Sequence, residues 1–159
     1  KRPGSTRPAL TPEQRAAQGR VRLVRGLAPS PQIRFSISAD GNEVFDQETG
    51  LIWRRCVEGL VMSSSGCVST GTFLSVEHGE ALTRARDAGS TWRVPNIKEL
   101  SSIFPLDLAV FPDLAGTNFS CWSSTPSRFG SGAVWAANTQ SGNFFVQPRS
   151  LLNCVRLVR

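Results

Sequence analysis

Cys121-Trp122-Ser123-Ser124-Thr125 and the closing run Cys154-Val155-Arg156-Leu157-Val158-Arg159 decide how the rest of the chain is read. Each is a short stretch headed by a cysteine and rich in aromatic or β-branched residues, which is strand character. The two strands are expected to be joined across one sheet through Cys121 and Cys154. Four cysteines allow three connectivities. Cys56 and Cys67 bracket a Ser/Gly-rich loop with little core of its own, and closure over that short span favours pairing them, which leaves Cys121 for Cys154. An even, well-spread set of cysteines suits a small, loop-rich domain exported to an oxidising compartment.

Upstream of Cys121 the pattern is of short strands and turns. Ile33, Phe35 and Ile37 alternate as in a strand, Asp40-Gly41 turns the chain into Val44-Phe45, and Thr49-Gly50 turns it again into Leu51-Ile52-Trp53, which makes a β-ribbon. Ser75 is a plausible cap for a helix over residues 76–88, with Glu80 and Arg84 one turn apart and Gly89 beyond its end. The small residues Ala81, Ala85 and Ala88 beside Leu82 predict close packing of that helix on a sheet. Asn96 and Glu99 form a capping box for a second helix that Pro105 stops at Phe104. Residues 105–120 read as a long packed loop. Ala133 to Asn138 and Phe144 to Gln147 read as a hairpin turning at Gln140-Ser141-Gly142-Asn143.

The chain has 159 residues, enough for one domain with its own core, and 14 glycines, 10 prolines and no tyrosine point to many turns. No apolar run reaches the roughly 18 residues of a membrane span. Lys1 rather than Met opens the sequence, so a leader is expected to have been removed or left out. The net charge of +6 lies wholly in residues 1–25, where seven basic side chains face Glu13 alone, whereas residues 26–159 carry 11 basic and 11 acidic side chains. A neutral body lacks the basic face that duplex binding needs, so nucleic acid is not an expected partner of the body. Residues 1–26 form a basic arm that could meet polyanions, its plainer reading being a solvated leader. A short helix is expected from Thr11-Pro12, and Val21-Arg22-Leu23-Val24-Arg25 repeats the final pentapeptide, which marks either the tail of a preceding copy or a chance recurrence of a generic strand pattern. Residues 27–32 are a linker, and residues 33–159 the domain.

Five signatures in order, Asp40-Gly41 to Asp46, Thr49-Gly50-Leu51-Ile52-Trp53, Trp92-Arg93-Val94-Pro95 to Glu99-Leu100, Trp122-Ser123-Ser124 and Val155-Arg156-Leu157-Val158-Arg159, resemble the family named for the C-terminal domain of the Legionella collagen-like adhesin. The resemblance covers residues 40–159. It implies an α+β, C-type-lectin-like fold, a twisted antiparallel sheet flanked by two short helices. It also implies secreted or cell-surface proteins of bacterial type, adhesins or fibre tips, sometimes trimeric and sometimes binding sulfated glycosaminoglycans. Calcium-dependent lectins place acids and amides around the ion, but the nearest counterpart here is Gln147-Pro148-Arg149, where an arginine would repel it, so no calcium site of that kind is expected.

Chemistry-bearing residues are sparse. His78, the one histidine, falls in the first turn of the first helix, where a surface or capping role is expected, and no Ser-His-Asp or Cys-His set assembles around it. The cysteine spacing does not suit zinc. Asp107 and Asp113 share a loop and read as solvated cap or turn residues rather than a glycosidase pair. Trp53, Trp92 and Trp122 sit inside structural signatures and are expected in the core. Trp135, with small neighbours, is the better candidate for contact with a ligand. In a lectin-like fold the loops bearing Arg128 and Phe129, and Gln147 and Arg149, would gather at one end as a binding face, arginine forks suiting sulfate or carboxylate. The expectation is a non-enzymatic, extracytoplasmic recognition module without cofactor, metal or membrane insertion. Its partner would be a glycan or a host or surface protein. The alternative is a structural assembly or capping subunit of a surface fibre or pilus, oligomeric and docked through its basic arm. A hydrolase or oxidase is the weakest of the three.

Overall fold

A computed structural model of the protein describes residues 34–69, 75–104, 107–114, 119–130 and 132–159. The basic arm, its expected helix, the Val21–Arg25 repeat and the linker lie outside the described residues. The architecture is α+β, with antiparallel sheets, two helices and two disulfides.

The expected β-ribbon is present as β1 (Phe35–Ile37), β2 (Glu43–Asp46) and β3 (Leu51–Arg54), paired in that order with Val44 opposite Trp53. Its two turns depend on Gly41 and Gly50, at φ +74° and +72°, a backbone region that costs glycine little. Asp46 on β2 is fully buried, and Arg34 forks onto it at 3.0 and 2.8 Å while also donating to the carbonyl of Ser102. That arginine therefore ties the ribbon to the second helix.

The Ser/Gly-rich span between Cys56 and Cys67 is more ordered than its composition suggested. It forms a second hairpin, β4 (Leu60–Ser63) with β5 (Gly66–Ser69), in which Met62 faces Cys67. The turn is held by the Ser63 hydroxyl, which accepts from the Ser65 N–H and donates to the Gly66 carbonyl. Cys56 is bonded to Cys67 and Cys121 to Cys154, the favoured pairing.

Helix α1 (His78–Asp87) begins two residues later than expected, because Val76 is drawn into an antiparallel bridge with Asn153 and Glu77, not Ser75, holds the cap position without a side-chain bond. Glu80 and Arg84 pair at 2.6 Å. Ala81 and Ala85 are buried against Trp122, Val134 and Ala136, the close approach to a sheet that small side chains permit. Helix α2 (Ile97–Ser102) has the expected capping box, Asn96 accepting from the Glu99 N–H at 2.9 Å and Glu99 accepting from the Asn96 N–H at 2.8 Å. It ends at Ser102 with Ile103 as its cap, before Phe104.

The third sheet has the order β6 (Ser120–Pro126), β7 (Ala133–Asn138) and β8 (Phe144–Pro148). Both faces of β7 are covered: Val134 and Ala136 join the cluster under α1, while Ala137 joins Trp53, Leu100 and Ile103 under α2. The closing run is not the continuous strand expected. It makes single bridges to several partners, Asn153 to Val76, Cys154 to Cys121, and Val158 to both Trp53 and Arg93. Its side chains divide likewise, with Val155 and Leu157 in the first cluster, Val158 in the second, and Cys154 with Val57 and Cys121 in a third.

Arg156 lies between these clusters at 1% exposure. It forks onto both carboxylate oxygens of Asp113 at 2.8 Å, donates to the carbonyls of Arg54 and Arg55, and stacks 4.8 Å from the Phe111 ring centre. Asp113 also accepts from the Val57 N–H. The expectation of a solvated Asp113 is thus corrected. Asp113 sits in a 3-10 turn, Pro112–Leu114, where the distant arginine and the Val57 N–H offset the cost of its burial. Asp107 is exposed and caps the Ala109 N–H.

Removing one member of a buried ion pair strands the other without its counter-charge. Asp113→Ala should therefore lower stability by about 3–5 kcal/mol, and adding Arg156→Met should recover much of the loss. Urea unfolding with the disulfides intact measures both. A single-variant loss under about 1 kcal/mol would contradict the pair's structural role.

Candidate functional site

Arg128 and Phe129 occupy the tip of the β6–β7 connection, which is closed by a bond from the Ser127 N–H to the Ala133 carbonyl. Phe129 is 85% exposed. Where β8 ends, the Arg149 N–H donates to the Gly132 carbonyl, so the two loops lie side by side at one end of the sheet. Arg128 and Arg149 are both exposed, and so are the neighbouring Leu151 and Leu152.

The structure does not bring all five expected ligand-binding residues to one face. Trp135 is opposite Val146, and Gln147 is opposite the fully buried Val134. Directly opposed residues share a face of an antiparallel pair, so Gln147 turns toward the core under α1 while Trp135 lies on the α2 face with Ala137. The Gln147 amide nitrogen is buried without a partner. Arg128, Phe129 and Arg149 are brought together, whereas Trp135 and Gln147 diverge from each other.

Charge pairing isolates the same end. Among the described residues, Arg34, Arg54, Arg84, Arg86, Arg93, Arg156 and Arg159 each have a carboxylate partner. Arg55 donates to the carbonyls of Gly41, Ala109 and Val110. Among the described residues, Arg128 and Arg149 are the two arginines left with neither, and Lys98, on α2, is the other cation without an ion pair.

His78 stands behind this end. The expected surface position is corrected, since the residue is 3% exposed, its ring edge-on to Trp122 at 5.4 Å. Its N–H donates to the Arg149 carbonyl, and its ring Nε2 lies 3.0 Å from the Ser123 carbonyl. A carbonyl can only accept, so Nε2 carries the hydrogen and Nδ1 is the bare nitrogen, buried without a partner. Burial pushes the imidazole pKa below its ordinary 6.5, the Ser123 carbonyl opposes that shift, and the Arg149 charge adds to it. Among the described residues, no carboxylate, thiol or hydroxyl bonds the ring.

A second concave feature escaped the sequence reading. A cleft of about 450 Å³ lies between α1 and the segment leading into α2, with Leu82, Ala85, Trp92 and Val94 among its walls. Its rim is fixed by Arg93, which forks onto Glu99 at 2.6 and 2.8 Å, so Glu99 serves both the capping box and this pair. The guanidinium groups of Arg54 and Arg159 lie 4.9 and 4.7 Å from the Trp92 ring centre. Trp53 and Trp122 are fully buried, as expected, while Trp92 is half-buried and braced by arginines. No cluster of metal-capable side chains occurs among the described residues.

A family model described as the Lcl C-terminal domain matches residues 42–159, and the chain belongs to that family. No curated protein matches it. Two disulfides and a domain of an adhesin family are consistent with an extracellular location. No helix of the described residues is long and apolar enough to cross a membrane.

The buried imidazole carries a stability signature. Above about pH 6.5 it is neutral folded or unfolded; as the pH falls below that, the unfolded chain takes up a proton that the folded one refuses. Stability should therefore decline from pH 7 toward pH 5, by about 1.4 kcal/mol per unit of pKa difference, and level off below the folded pKa. Asp46 and Glu99 act in a lower window: burial raises their pKa values, but Arg34 and Arg93 respectively, with backbone N–H donors, outweigh it and hold both carboxyls down. Urea midpoints that stay flat from pH 7 to 5 would rule out the His78 contribution.

Proposed function

We propose that this member of the Lcl C-terminal domain family is a non-catalytic, extracytoplasmic recognition module, an adhesin or surface-fibre-tip domain. It engages an acidic, in particular a sulfated, glycan through the loop end bearing Arg128, Phe129 and Arg149. The observation that carries this reading is the pairing pattern: every other arginine of the described body is held by carboxylates or carbonyls, and the two that are not share one end of one sheet. A guanidinium fork matches the oxygens of sulfate or carboxylate, and charge-assisted bonds of this type contribute about 1.5–3 kcal/mol each. An aromatic ring as exposed as Phe129 offers an apolar surface for the C–H face of a sugar.

Three antiparallel sheets with two helices, stapled by two disulfides, suit the C-type-lectin-like arrangement that the family resemblance implies. A calcium-dependent mode does not suit this end, where the Gln147 side chain turns inward and Arg149 supplies a positive charge. The assembly reading keeps one observation in its favour: Leu151 and Leu152, 48% and 63% exposed, lie beside the same loops. Light scattering in which Leu152→Ser leaves the particle mass unchanged would remove that support.

Arg128→Ala and Arg149→Ala should each weaken binding to a heparin-derived hexasaccharide about tenfold, with the double variant nearly inactive and a shallower salt dependence. Thermal stability should stay within about 0.5 kcal/mol of the parent, because neither side chain has an ionic partner to lose. A double variant that binds the hexasaccharide like the parent in calorimetry would overturn the reading.

A further inference from the structure

His78 is buried directly behind the loop end, and its attachments tie it to Arg149. The His78 backbone N–H donates to the Arg149 carbonyl, which sets Arg149 beside the start of α1, and after burial the Arg149 charge is a further cause that lowers the ring's pKa. The other elements packed around the imidazole bring no charge to it. Strands β6, β7 and β8 contain no ionisable side chain. Arg156 of the closing run is committed to Asp113, and on its own helix Glu77 and Glu80 are exposed, Glu80 being paired with Arg84. The surroundings are also rich in donors that lack acceptors. Gln147 Nε2, two residues before Arg149, and Asn153 Nδ2 are both buried without partners, and Asn153 exchanges backbone bonds with Val76, two residues before His78. His78, Gln147 and Asn153 thus each carry a buried nitrogen without a partner, on segments 76–78, 147–149 and 153 that backbone bonds hold together.

We propose that His78 is the protonatable member of the anion-binding end: a sulfated ligand held by Arg149 draws a proton onto Nδ1, and the ligand binds more tightly as the pH falls. The inference rests on the recognition reading above and adds to it a named residue and a pH law. In the ligand-free protein a proton on His78 faces Arg149 and has no acceptor. An anion on Arg149 cancels that repulsion and attracts the new charge, so the His78 pKa is higher in the complex than in the free protein. Linkage makes this reciprocal, because what raises the proton affinity of the complex raises the ligand affinity of the protonated protein by the same factor. Between the two pKa values binding takes up a proton. Above both the affinity is independent of pH, and below both it is constant at its higher level.

Proton NMR of the single histidine in the full chain, titrated from pH 8 to 4.5 with and without saturating heparin-derived hexasaccharide, tests this directly. Sulfate groups do not titrate in that range and uronate carboxyls do so only at its acid edge, so the His78 ring resonances assign a change to the protein. The His78 pKa is expected to rise by at least about half a unit on binding, with an affinity gain over pH 7.5 that approaches about threefold by calorimetry once the pH lies below both pKa values. Arg149→Gln supplies a ligand-free arm, in which the His78 pKa should rise because the opposing charge is gone. A hexasaccharide that binds but leaves the pKa and the pH dependence unchanged overturns the proton coupling and spares the recognition reading. Absence of binding at both pH values overturns the recognition reading and the coupling with it. A His78 pKa indifferent to Arg149→Gln overturns the coupling whatever the glycan does.

Discussion

The ion pair between Arg156 and Asp113 is the contact on which the closing run, and through it the assembly of the sheets, depends. A guanidinium at 1% exposure is costly to desolvate, and the structure offsets that cost with a bidentate carboxylate, two backbone carbonyls and an aromatic face. Its larger effect is on register. Val155 and Leu157 enter one cluster and Val158 another, while Arg156 points to Asp113 between them. A slip by one residue would drive the guanidinium into an apolar cluster and take Val155 and Leu157 out of it. The pair therefore selects one threading of the tail more than it adds net stability.

That threading matters because the apolar interior is divided. Three modest clusters take the place of one large core, and the tail is common to all three. Domains with so little contiguous apolar volume gain from cross-links, and the two disulfides lie where the clusters are thinnest. Cys121–Cys154 anchors the start of the tail to β6, within the smallest cluster, and Cys56–Cys67 fastens the β4–β5 hairpin, which has exposed valines at 61 and 68 and little core of its own.

Features written in local chemistry were legible in the sequence. The Asn96/Glu99 box, the glycines at both ribbon turns, the β7–β8 hairpin and the alanine face of α1 each follow from residues a few positions apart. What failed to show depended on partners far along the chain. Asp113 reads as a loop acid until Arg156 comes to meet it, and Val76 reads as helix until Asn153 claims its backbone. His78 looks like a surface residue at a helix start because nothing nearby announces that Ser123 and Trp122 will enclose it. At the candidate site the loops bearing Arg128, Phe129 and Arg149 were legible as loops, whereas the inward turn of Gln147 follows from strand parity, which only the register with Val134 fixes. The Trp92 cleft was invisible for the same reason, its walls coming from two helices and the segment between them.

The body's overall neutrality makes its local charge informative. With 11 basic and 11 acidic side chains in residues 26–159, no net field draws an anion to the surface at large. Pairing then cancels the positive side almost residue by residue, and several pairs do structural work: Arg34 with Asp46 fixes the ribbon to α2, Arg93 with Glu99 completes a cap, and Arg159 with Glu43 fastens the chain's last residue to β2. An arginine exempt from such duty is free to meet an external anion without any internal bond being broken first. Arg128 and Arg149 have that freedom on adjacent loops, and the backbone bond between Arg149 and Gly132 joins those loops without occupying either guanidinium. Among the described arginines the scaffold spends its charges on itself except at the end where the loops meet, and an anion taken up there would require the least reorganisation.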